Sequence, residues 1–259
     1  MMNGRVALVV GASKGIGAAT AEAFAAAGAA VVLAARDGAA LDAVAKRIEA
    51  AGGSALAVPA DVTDPAAMQH LVDATVSHFG RLDAAFNNAG AKIAMAPLAQ
   101  LDPGEFDRSI AASIRGTFLG LKYQIPAMLA SGGGAIVNMA SLAGVNGVAN
   151  LAAYVAGKAG IIGLTKVAAL DYADQGIRVN VVAPGTILTH YLEAAGEQAQ
   201  RGAAMAAPAR RIGTVSEVAD VVLWLCSAQS SFVTGSVIPV DGGMSAGSKP
   251  PSMMRAAGD

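Results

Sequence analysis

The fold is decided by the stretch Arg5-Val6-Ala7-Leu8-Val9-Val10-Gly11-Ala12-Ser13-Lys14-Gly15-Ile16-Gly17, an apolar run followed by a run rich in glycine. The apolar part predicts a short buried strand, and the residues from Gly15 to Ala27 predict a helix that ends at Gly28. Glycines between a strand and a helix let the backbone approach a diphosphate, whose charge the helix amino terminus stabilises. The stretch therefore predicts a dinucleotide-binding loop, with contacts from Gly11, Ser13, Lys14, Gly15, Ile16 and Gly17.

The same loop allows a second interpretation. Gly11-Ala12-Ser13-Lys14-Gly15 matches the G-x-S-x-G elbow on which hydrolases place a nucleophilic serine. That mechanism needs an acid and a histidine later in the chain, and only His190 lies late enough. Because His190 falls in a segment without regular periodicity, the dinucleotide loop is the favoured interpretation.

Strand and helix signals alternate along the rest of the chain. Further apolar runs predict strands at 31–35, 55–58, 82–86, 135–139, 177–182 and 236–240. Asp64 followed by Pro65 is a helix start signal, and Ser216 is the expected cap of the last helix. One long helix is expected over 103–130, and 186–212 is expected to be irregular.

Continuous apolar strands separated by helices are typical of a parallel sheet covered on both faces. The predicted fold class is α/β, a doubly wound Rossmann-like sheet of about seven strands. It is expected to form a single domain over residues 1–243, with a substrate segment at about 186–212 and a polar tail at 244–259.

Composition excludes several classes of protein. The 259 residues are 54% hydrophobic and 14% charged, which favours a homo-oligomer, and a net charge of −1 is no basis for binding nucleic acid or an anionic membrane. Cys226 is the only cysteine, and His70, His78 and His190 are scattered, so neither a disulfide framework nor a metal site is expected. With no signal peptide and no apolar run of about 18 residues, a cytoplasmic location is expected.

Three polar side chains are expected to meet at the rim of the sheet. Tyr154 and Lys158 are four positions apart on a predicted helix and so share one face, while Ser141 follows a predicted strand. The glycine loop, Asn87-Asn88-Ala89-Gly90 and Pro184-Gly185 also follow strands, so they fall on the same rim. A hydroxyl, a phenol and an ammonium in one pocket can pass a proton to or from an oxygen.

The choice of cofactor depends on the end of the second strand. A ribose hydroxyl requires a carboxylate there, whereas the 2′-phosphate of NADP(H) requires cations. Arg36 follows this strand and Lys14 lies in the nearby loop, so NADP(H) is preferred, although Asp37 leaves NAD(H) open. Both cations could also be ordinary solvated side chains, and Asp61 could bind the adenine amino group or cap its own turn.

These motifs resemble those of the short-chain dehydrogenase/reductase family, over about residues 4–243. The glycine loop, Asp61-Val62, Asn87-Asn88-Ala89-Gly90, Ser141, Tyr154-x-x-x-Lys158, Asn180, Pro184-Gly185-x-x-x-Thr189 and Val240-Asp241-Gly242-Gly243 match in order and spacing. The similarity is greatest to 3-oxoacyl-acyl-carrier-protein reductase and to ketone reductases. It implies a homotetramer and further cofactor contacts, which are Asp61, Val62, Asn88, Ala89, Gly90, Tyr154, Lys158, Pro184, Gly185, Ile187 and Thr189.

The resemblance also implies catalytic roles. Tyr154 would be the general acid, made more acidic by Lys158, and Ser141 would bind the substrate oxygen. Ser113 occupies the position of a family asparagine that is taken to hold a water in a proton relay to the lysine, and it is included as the fourth catalytic position.

The expected substrate is a hydrophobic ketone or secondary alcohol. The segment 186–212 and the loops at 91–98 and 142–150 offer apolar side chains and no fixed cation. Three functions therefore remain: an NADPH-dependent carbonyl reductase, an NAD-dependent alcohol dehydrogenase, and a non-catalytic nucleotide-binding scaffold whose site has decayed.

Overall fold

The structure is a computed structural model that describes residues 2–90 and 93–247. Seven strands form one parallel sheet in the order β3-β2-β1-β4-β5-β6-β7. The strands are β1 (Val6–Val10), β2 (Ala30–Ala35), β3 (Ser54–Pro59), β4 (Ala84–Asn87), β5 (Gly134–Met139), β6 (Ile177–Pro184) and β7 (Val237–Val240). The predicted fold class is thereby confirmed.

Ten α-helices accompany the described strands. They are α1 (Gly15–Ala26), α2 (Gly38–Ala50), α3 (Pro65–Phe79), α4 (Pro103–Ile110), α5 (Gly116–Ala130), α6 (Leu142–Val145), α7 (Ala152–Tyr172), α8 (His190–Ala194), α9 (Gly196–Ala206) and α10 (Val215–Cys226). Helices cover both faces of the sheet, and two large apolar clusters fill the space between sheet and helices. All five residues of β1 are buried, because this strand lies inside the sheet and has helices on both faces.

The strand order places the site. Val10 pairs with Ala34 on one side and with Asn87 on the other, so β1 lies between β2 and β4. The direction in which the chain builds the sheet reverses at this point, and ligands of doubly wound sheets bind outside the carboxyl ends of the strands there. The glycine loop and the residues after β2 and β4 therefore meet at one edge.

Side-chain caps begin several helices. The Asp64 carboxylate accepts a hydrogen bond from the Ala66 N–H (2.9 Å), as the Asp64-Pro65 signal predicts. The last helix differs from the prediction. Its cap is Thr214, whose hydroxyl accepts from the Glu217 N–H while the Glu217 carboxylate accepts from the Thr214 N–H. This reciprocal pair displaces the expected start at Ser216 by two residues.

Two helical segments differ from the expectation. The long helix at 103–130 is interrupted by a π-helical turn, Ala111–Arg115, that separates α4 from α5. The segment at 186–212, expected to be irregular, carries α8 and α9. Their residues are largely exposed, and Gly196, Gly202 and Pro208 interrupt the segment, which favours the prediction of irregular structure.

One described helical segment, Ala152–Gln175, is long and apolar enough to cross a membrane by length and composition alone. It consists of α7 and the short turn that follows it, and the sequence predicted no apolar run of this length. In the fold it packs against β6 and α4, with Ile161 and Thr165 buried, so it is a core helix. Of the expected tail, residues 244–247 are described, and the Ser245 N–H donates to Asp241 (2.8 Å). Residues 248–259 of the tail and residues 91 and 92 of the expected substrate loop lie outside the described residues. The domain boundary at 243 stays a prediction.

Candidate active site

A cleft of about 950 Å³ lies along the predicted edge of the sheet. The glycine loop and the residues after β2, β3 and β4 line it, together with parts of α4 and α8. Twelve predicted cofactor contacts are among these lining residues: Gly11, Ser13, Lys14, Gly15, Ile16, Arg36, Asp61, Val62, Asn88, Ala89, Gly90 and Thr189. A long, open groove of this size suits an extended ligand such as a dinucleotide.

The glycine loop has the close contacts that exclude other residue types. Gly11 has φ +88°, and a Cβ added there would lie 2.8 Å from the Ala89 nitrogen. A Cβ on Gly17 would lie 2.0 Å from the Gly11 oxygen, so Gly17 serves packing and does not line the cleft. The Asn88 side chain donates to the Gly11 oxygen (2.9 Å) and braces the loop. The loop thus holds open the amino terminus of α1, where an anionic diphosphate fits.

The end of the cleft beside β2 carries the groups that would meet the adenosine ribose. Arg36 and Asp37 both line it. The Asp37 carboxylate caps α2 by accepting from the Ala40 N–H (3.1 Å), which ties one of its oxygens to the helix. Lys14 lies farther along, with its ammonium 5.5 Å from the centre of the Tyr191 ring.

Asp61 caps its own turn, the second of its two predicted roles. Its Oδ1 accepts from the Thr63 N–H (2.9 Å) and from the Thr63 hydroxyl (2.8 Å). The backbone hydrogen bond from Thr63 is the main reason that the pKa of Asp61 is lowered, and the nearby Arg36 charge adds to it. Asp61 therefore remains ionised at the cleft wall.

Ser141, Tyr154 and Lys158 come together beyond the end of β5. Ser141 is the cap of α6, and its hydroxyl oxygen accepts from the Ala143 N–H (3.2 Å). The Ser141 hydroxyl is also near enough to the Tyr154 phenol to lower the pKa of that phenol. The Lys158 Nζ lies 5.7 Å from the centre of the Tyr154 ring. The structure brings the three side chains near one another, and that they share one pocket stays a prediction.

Lys158 joins this group to the cleft. Its side chain is only 5% exposed, and its Nζ donates to the Met139 carbonyl oxygen (2.8 Å). A Cβ added to Gly90, which lines the cleft, would lie 3.9 Å from the Lys158 Nζ. The trio therefore stands at the Gly90 end of the cleft, where the reactive end of an extended ligand would lie.

Burial dominates the ionisation of both groups. The pKa of Tyr154 is raised because the phenol is buried, and the nearby Ser141 hydroxyl offsets this rise only in part. Burial lowers the pKa of Lys158 from 10.5 to about 8. The expected acidification of Tyr154 by Lys158 is not found, because the ammonium is directed to the Met139 oxygen and the desolvation of the phenol prevails.

Ser113 lies behind the trio. It is buried in the π-helical turn, and its hydroxyl donates to the Ser109 carbonyl oxygen one turn earlier. A Cβ added to Gly157 would lie 2.3 Å from the Ser113 Oγ, so the π turn contacts α7 between Tyr154 and Lys158. Because π turns inside helices recur at functional sites, the position agrees with a role in the site.

Three other predicted cofactor contacts lie off the cleft. Pro184 ends β6, and the Gly185 N–H donates to the Val240 oxygen (3.1 Å). Ile187 is buried and lines a smaller cavity of about 330 Å³ beside Asp241. These residues shape the turn that leads to Thr189.

The lining also includes three residues of α4 that the sequence did not predict. They are Glu105, Arg108 and Ser109. No motif marks them, because a helix reaches the cleft only through the tertiary fold. No group of three or more His, Cys, Asp or Glu residues suited to a metal ion occurs within 2–90 and 93–247.

Comparison with known proteins defines the class. The family model described as Enoyl-(Acyl carrier protein) reductase matches residues 11–245. Cyclohexanol dehydrogenase of Acinetobacter sp. (strain SE19) is 44% identical over 240 residues, which cover 93% of this chain and 94% of that protein. The crystal structure of levodione reductase has a TM-score of 0.92 and 36% identity, covering 95% of this chain and 99% of that one. That of NAD+-bound xylitol dehydrogenase has a TM-score of 0.89 and 37% identity, covering 93% and 99%.

Fold, site and similarities together define an oxidoreductase that acts on alcohols and ketones. The chain belongs to the short-chain dehydrogenase/reductase family, whose members use NAD(P)(H). The resemblance drawn from the motifs is confirmed, and the glycine loop belongs to a dinucleotide enzyme and not to a hydrolase.

Proposed function

We propose that this protein is an NADPH-dependent carbonyl reductase that interconverts a hydrophobic ketone and its secondary alcohol. The observation that carries the proposal is the position of Tyr154 beside the buried Lys158, whose Nζ lies 5.7 Å from the centre of the Tyr154 ring and close to Gly90 of the cleft. The Ser141 hydroxyl lies near the same phenol. Carbonyl reduction requires a proton donor and a hydride donor side by side, and a phenol next to a dinucleotide cleft meets this requirement.

The proposed chemistry assigns one task to each side chain. The reduced nicotinamide, when bound, supplies a hydride to the carbonyl carbon. Tyr154, whose raised pKa keeps the phenol protonated at neutral pH, donates its proton to the carbonyl oxygen, so that the alcohol forms with atoms and charge balanced. Ser141 donates a hydrogen bond to that oxygen and fixes its position.

Lys158 has a different proposed task. With a pKa of about 8, its ammonium is mainly protonated at neutral pH. Because this pKa lies near neutral pH, the ammonium can return a proton to the site. Its place beside Gly90 also suits a hydrogen bond to a ribose hydroxyl of the dinucleotide. Ser113 supports the Tyr154–Lys158 helix from behind, and its place in the relay rests on the family resemblance alone.

The proposed dinucleotide contacts are the twelve predicted residues that line the cleft, with Tyr154 and Lys158 at its Gly90 end. NADPH is preferred in this proposal because Arg36 stands where a 2′-phosphate would lie and a guanidinium suits phosphate oxygens. The helix cap made by Asp37 supports the same choice, because it uses one of the two carboxylate oxygens that could accept from a ribose hydroxyl.

A second candidate is an NAD-dependent alcohol dehydrogenase of the same family. It is supported by the place of Asp37 in the cleft lining and by the similarity to a dehydrogenase that was crystallised with NAD+. The two candidates share Tyr154, Lys158 and Ser141 and differ in the adenosine end of the site.

The proposed substrate is apolar. The segments predicted to contact substrate carry exposed apolar side chains, namely Ile93, Met95, Val145, Val148, Tyr191 and Met205. A relative named for cyclohexanol supports a compact secondary alcohol or its ketone as the starting point of a screen.

The proposed assembly is a homotetramer in the cytoplasm. Phe118 on α5 and both Val167 and Leu170 on α7 are exposed, and Leu170 is 83% exposed. Trp224 and Phe232 form a second exposed apolar region. Apolar side chains in such numbers on the long helices support burial against further copies.

Absorbance at the nicotinamide band, with a panel of ketones headed by cyclohexanone, tests the proposal. We expect turnover with NADPH at a lower KM than with NADH. Arg36→Ala should raise the KM for NADPH about tenfold, the effect of losing charge-assisted hydrogen bonds, and leave NADH nearly unaffected. Arg47→Ala, on the exposed side of α2, is the matched control. A lower KM for NADH would favour the second candidate, and no turnover with either cofactor would contradict both.

A further inference from the structure

A chain of buried, hydrogen-bonded polar side chains runs from α5 to α7. Its four members are each at most 5% exposed, and they are Gln124 of α5, Asn87 of β4, Asn138 of β5 and Thr165 of α7. Gln124 and Asn87 exchange two hydrogen bonds (2.8 and 3.0 Å). Asn87 donates to the Asn138 amide oxygen (2.9 Å), and the Asn138 amide nitrogen donates to the Thr165 hydroxyl (3.0 Å). The chain thus ties two helices to two neighbouring strands.

The Thr165 hydroxyl fixes the direction of this chain. It donates its single proton to the Ile161 carbonyl oxygen, one turn earlier on α7 (2.9 Å), so toward Asn138 it can only accept. The amide nitrogen of Asn138 must therefore face Thr165, and its amide oxygen must face Asn87. Turning the Asn138 amide over would set two donors against each other on one side and two acceptors on the other. The network therefore has one arrangement in which both ends of this amide are paired.

Packing alone does not explain these polar side chains. Other positions of α7 that pack against strand residues are apolar, as with the buried Ile161, Ala168 and Ala169. A paired buried amide adds only modest stability, because its hydrogen bonds replace those that it would make with water. A fully paired network does, however, hold the elements that it joins in a single arrangement. The chain of side chains is therefore suited to fixing α7 against β5.

The two elements joined by the Asn138–Thr165 hydrogen bond carry Lys158 and its acceptor. Thr165 follows Lys158 by about two helical turns, so both side chains lie on one face of α7. Asn138 directly precedes Met139, whose carbonyl oxygen accepts from the Lys158 Nζ (2.8 Å). A rotation or slide of α7 at Thr165 would therefore move the ammonium relative to the Met139 oxygen.

We propose that Thr165 is a positioning residue that, through the hydrogen bond it accepts from Asn138, sets the place of Lys158 in the active site. The inference rests on the proposed function in that Lys158 is taken to act on a proton and on a ribose hydroxyl. It adds a residue that does not line the cleft to those on which the reaction depends. The hydroxyl carries this role, so serine can replace threonine and valine cannot.

Substitutions at Thr165 in the full-length protein test the proposal. Thr165→Val keeps the shape of the side chain and removes the hydroxyl, whereas Thr165→Ser keeps the hydroxyl. Thr75→Val is the matched control, because Thr75 is also fully buried in a helix and donates to the carbonyl oxygen of Leu71, four residues earlier (2.8 Å). The double variant Thr165→Val/Asn138→Leu makes both partners apolar, which removes the hydrogen bond without leaving the Asn138 amide unpaired.

Calorimetry with whichever of NADPH and NADH the parent binds more tightly gives the Kd, and ketone reduction gives kcat. We expect Thr165→Val to raise the Kd about fivefold, the effect of losing one hydrogen bond, and to lower kcat about tenfold through the displaced ammonium. The double variant should show the same losses, while Thr165→Ser and Thr75→Val should stay within about twofold of the parent. In a Lys158→Met background, Thr165→Val should leave the Kd unchanged, because the group that it positions is gone.

Three results would overturn the assignment. The first is a Thr165→Val protein, or a double variant, with the Kd and kcat of the parent. The second is an equal loss in Thr75→Val, and the third is the same rise in Kd with and without Lys158, since both would indicate a general effect on stability. Failure of the parent protein to reduce any ketone would contradict the proposed function, and the Kd values with and without Lys158 would still decide this inference.

Discussion

Replacing Lys158 with methionine should stabilise the protein at neutral pH while abolishing activity. The side chain is 5% exposed, and it carries a charge whose only hydrogen bond recorded among the described residues is to the Met139 carbonyl oxygen. Methionine has a similar length and no charge, so Lys158→Met removes the cost of burying the ammonium. Function therefore has a stability cost at this position.

The pKa of Lys158 gives the magnitude. Its fall from 10.5 to about 8 corresponds to about 3 kcal/mol of burial cost for the charged form. Loss of the hydrogen bond to the Met139 oxygen offsets about 1 kcal/mol. We therefore expect Lys158→Met to be more stable than the parent by about 2 kcal/mol at pH 7.

The pH dependence has a definite sign. Between about pH 8 and 10.5 the folded state binds fewer protons at Lys158 than the unfolded state, so the parent gains stability as the pH rises. The advantage of the variant should therefore shrink across this window. Burial raises the pKa of Tyr154 and of Cys226, which acts in the opposite direction, but both groups are present in parent and variant and cancel in the difference.

Urea unfolding of parent and Lys158→Met at pH 7, 8.5 and 10 measures this difference. Lys166→Met, an exposed lysine on the same helix, is the matched control. A difference that stays constant from pH 7 to 10, or a variant less stable than the parent at pH 7, would show that the amine is not desolvated in the folded protein.

Two further predictions concern a buried hydrogen bond at the start of β1 and the contact between Ser113 and Gly157 behind the trio. Asp83→Ala should lower the free energy of unfolding by about 2 kcal/mol, because the carboxylate accepts a hydrogen bond from the buried Val6 N–H (2.8 Å). Urea unfolding measures this loss, with Asp73→Ala at an exposed position as the control. Equal losses in the two variants would contradict the prediction. Gly157→Ala should cost about 1–3 kcal/mol and most of the activity, because its Cβ would lie 2.3 Å from the Ser113 Oγ. The double variant Gly157→Ala/Ser113→Gly should recover part of the lost stability and part of the lost activity in a double-mutant cycle. Strictly additive effects of the two substitutions would argue against the contact between these residues.

The sheet was predictable because its strands are continuous apolar runs. The apolar run before the glycine loop and the run at 135–139 follow the pattern of strands buried on both faces, and their observed bounds differ from the predicted ones by one residue. Helices α8 and α9 escaped prediction because they are short, exposed and alanine-rich, and because Gly196, Gly202 and Pro208 interrupt the segment. Glycine and proline at such short intervals are typical of irregular structure.

The site was predictable as a set of residues but not as a network. Asn87 was placed on the rim, yet its side chain is buried and bonds to Gln124 and Asn138, which are 37 and 51 residues away in sequence. Nothing in the local sequence announces such distant partners. The same limit applies to the pKa of Tyr154, which depends on burial and not on the i, i+4 spacing from Lys158.

The central claim is that Tyr154 donates a proton to a substrate held beside a bound dinucleotide. The most direct measurement compares parent and Tyr154→Phe for NADPH binding by calorimetry and for ketone reduction on the same samples. We predict a fall in kcat of at least about a hundredfold, the contribution of a general acid, with the Kd for NADPH within about twofold of the parent. A Tyr154→Phe variant that keeps its turnover would contradict the account.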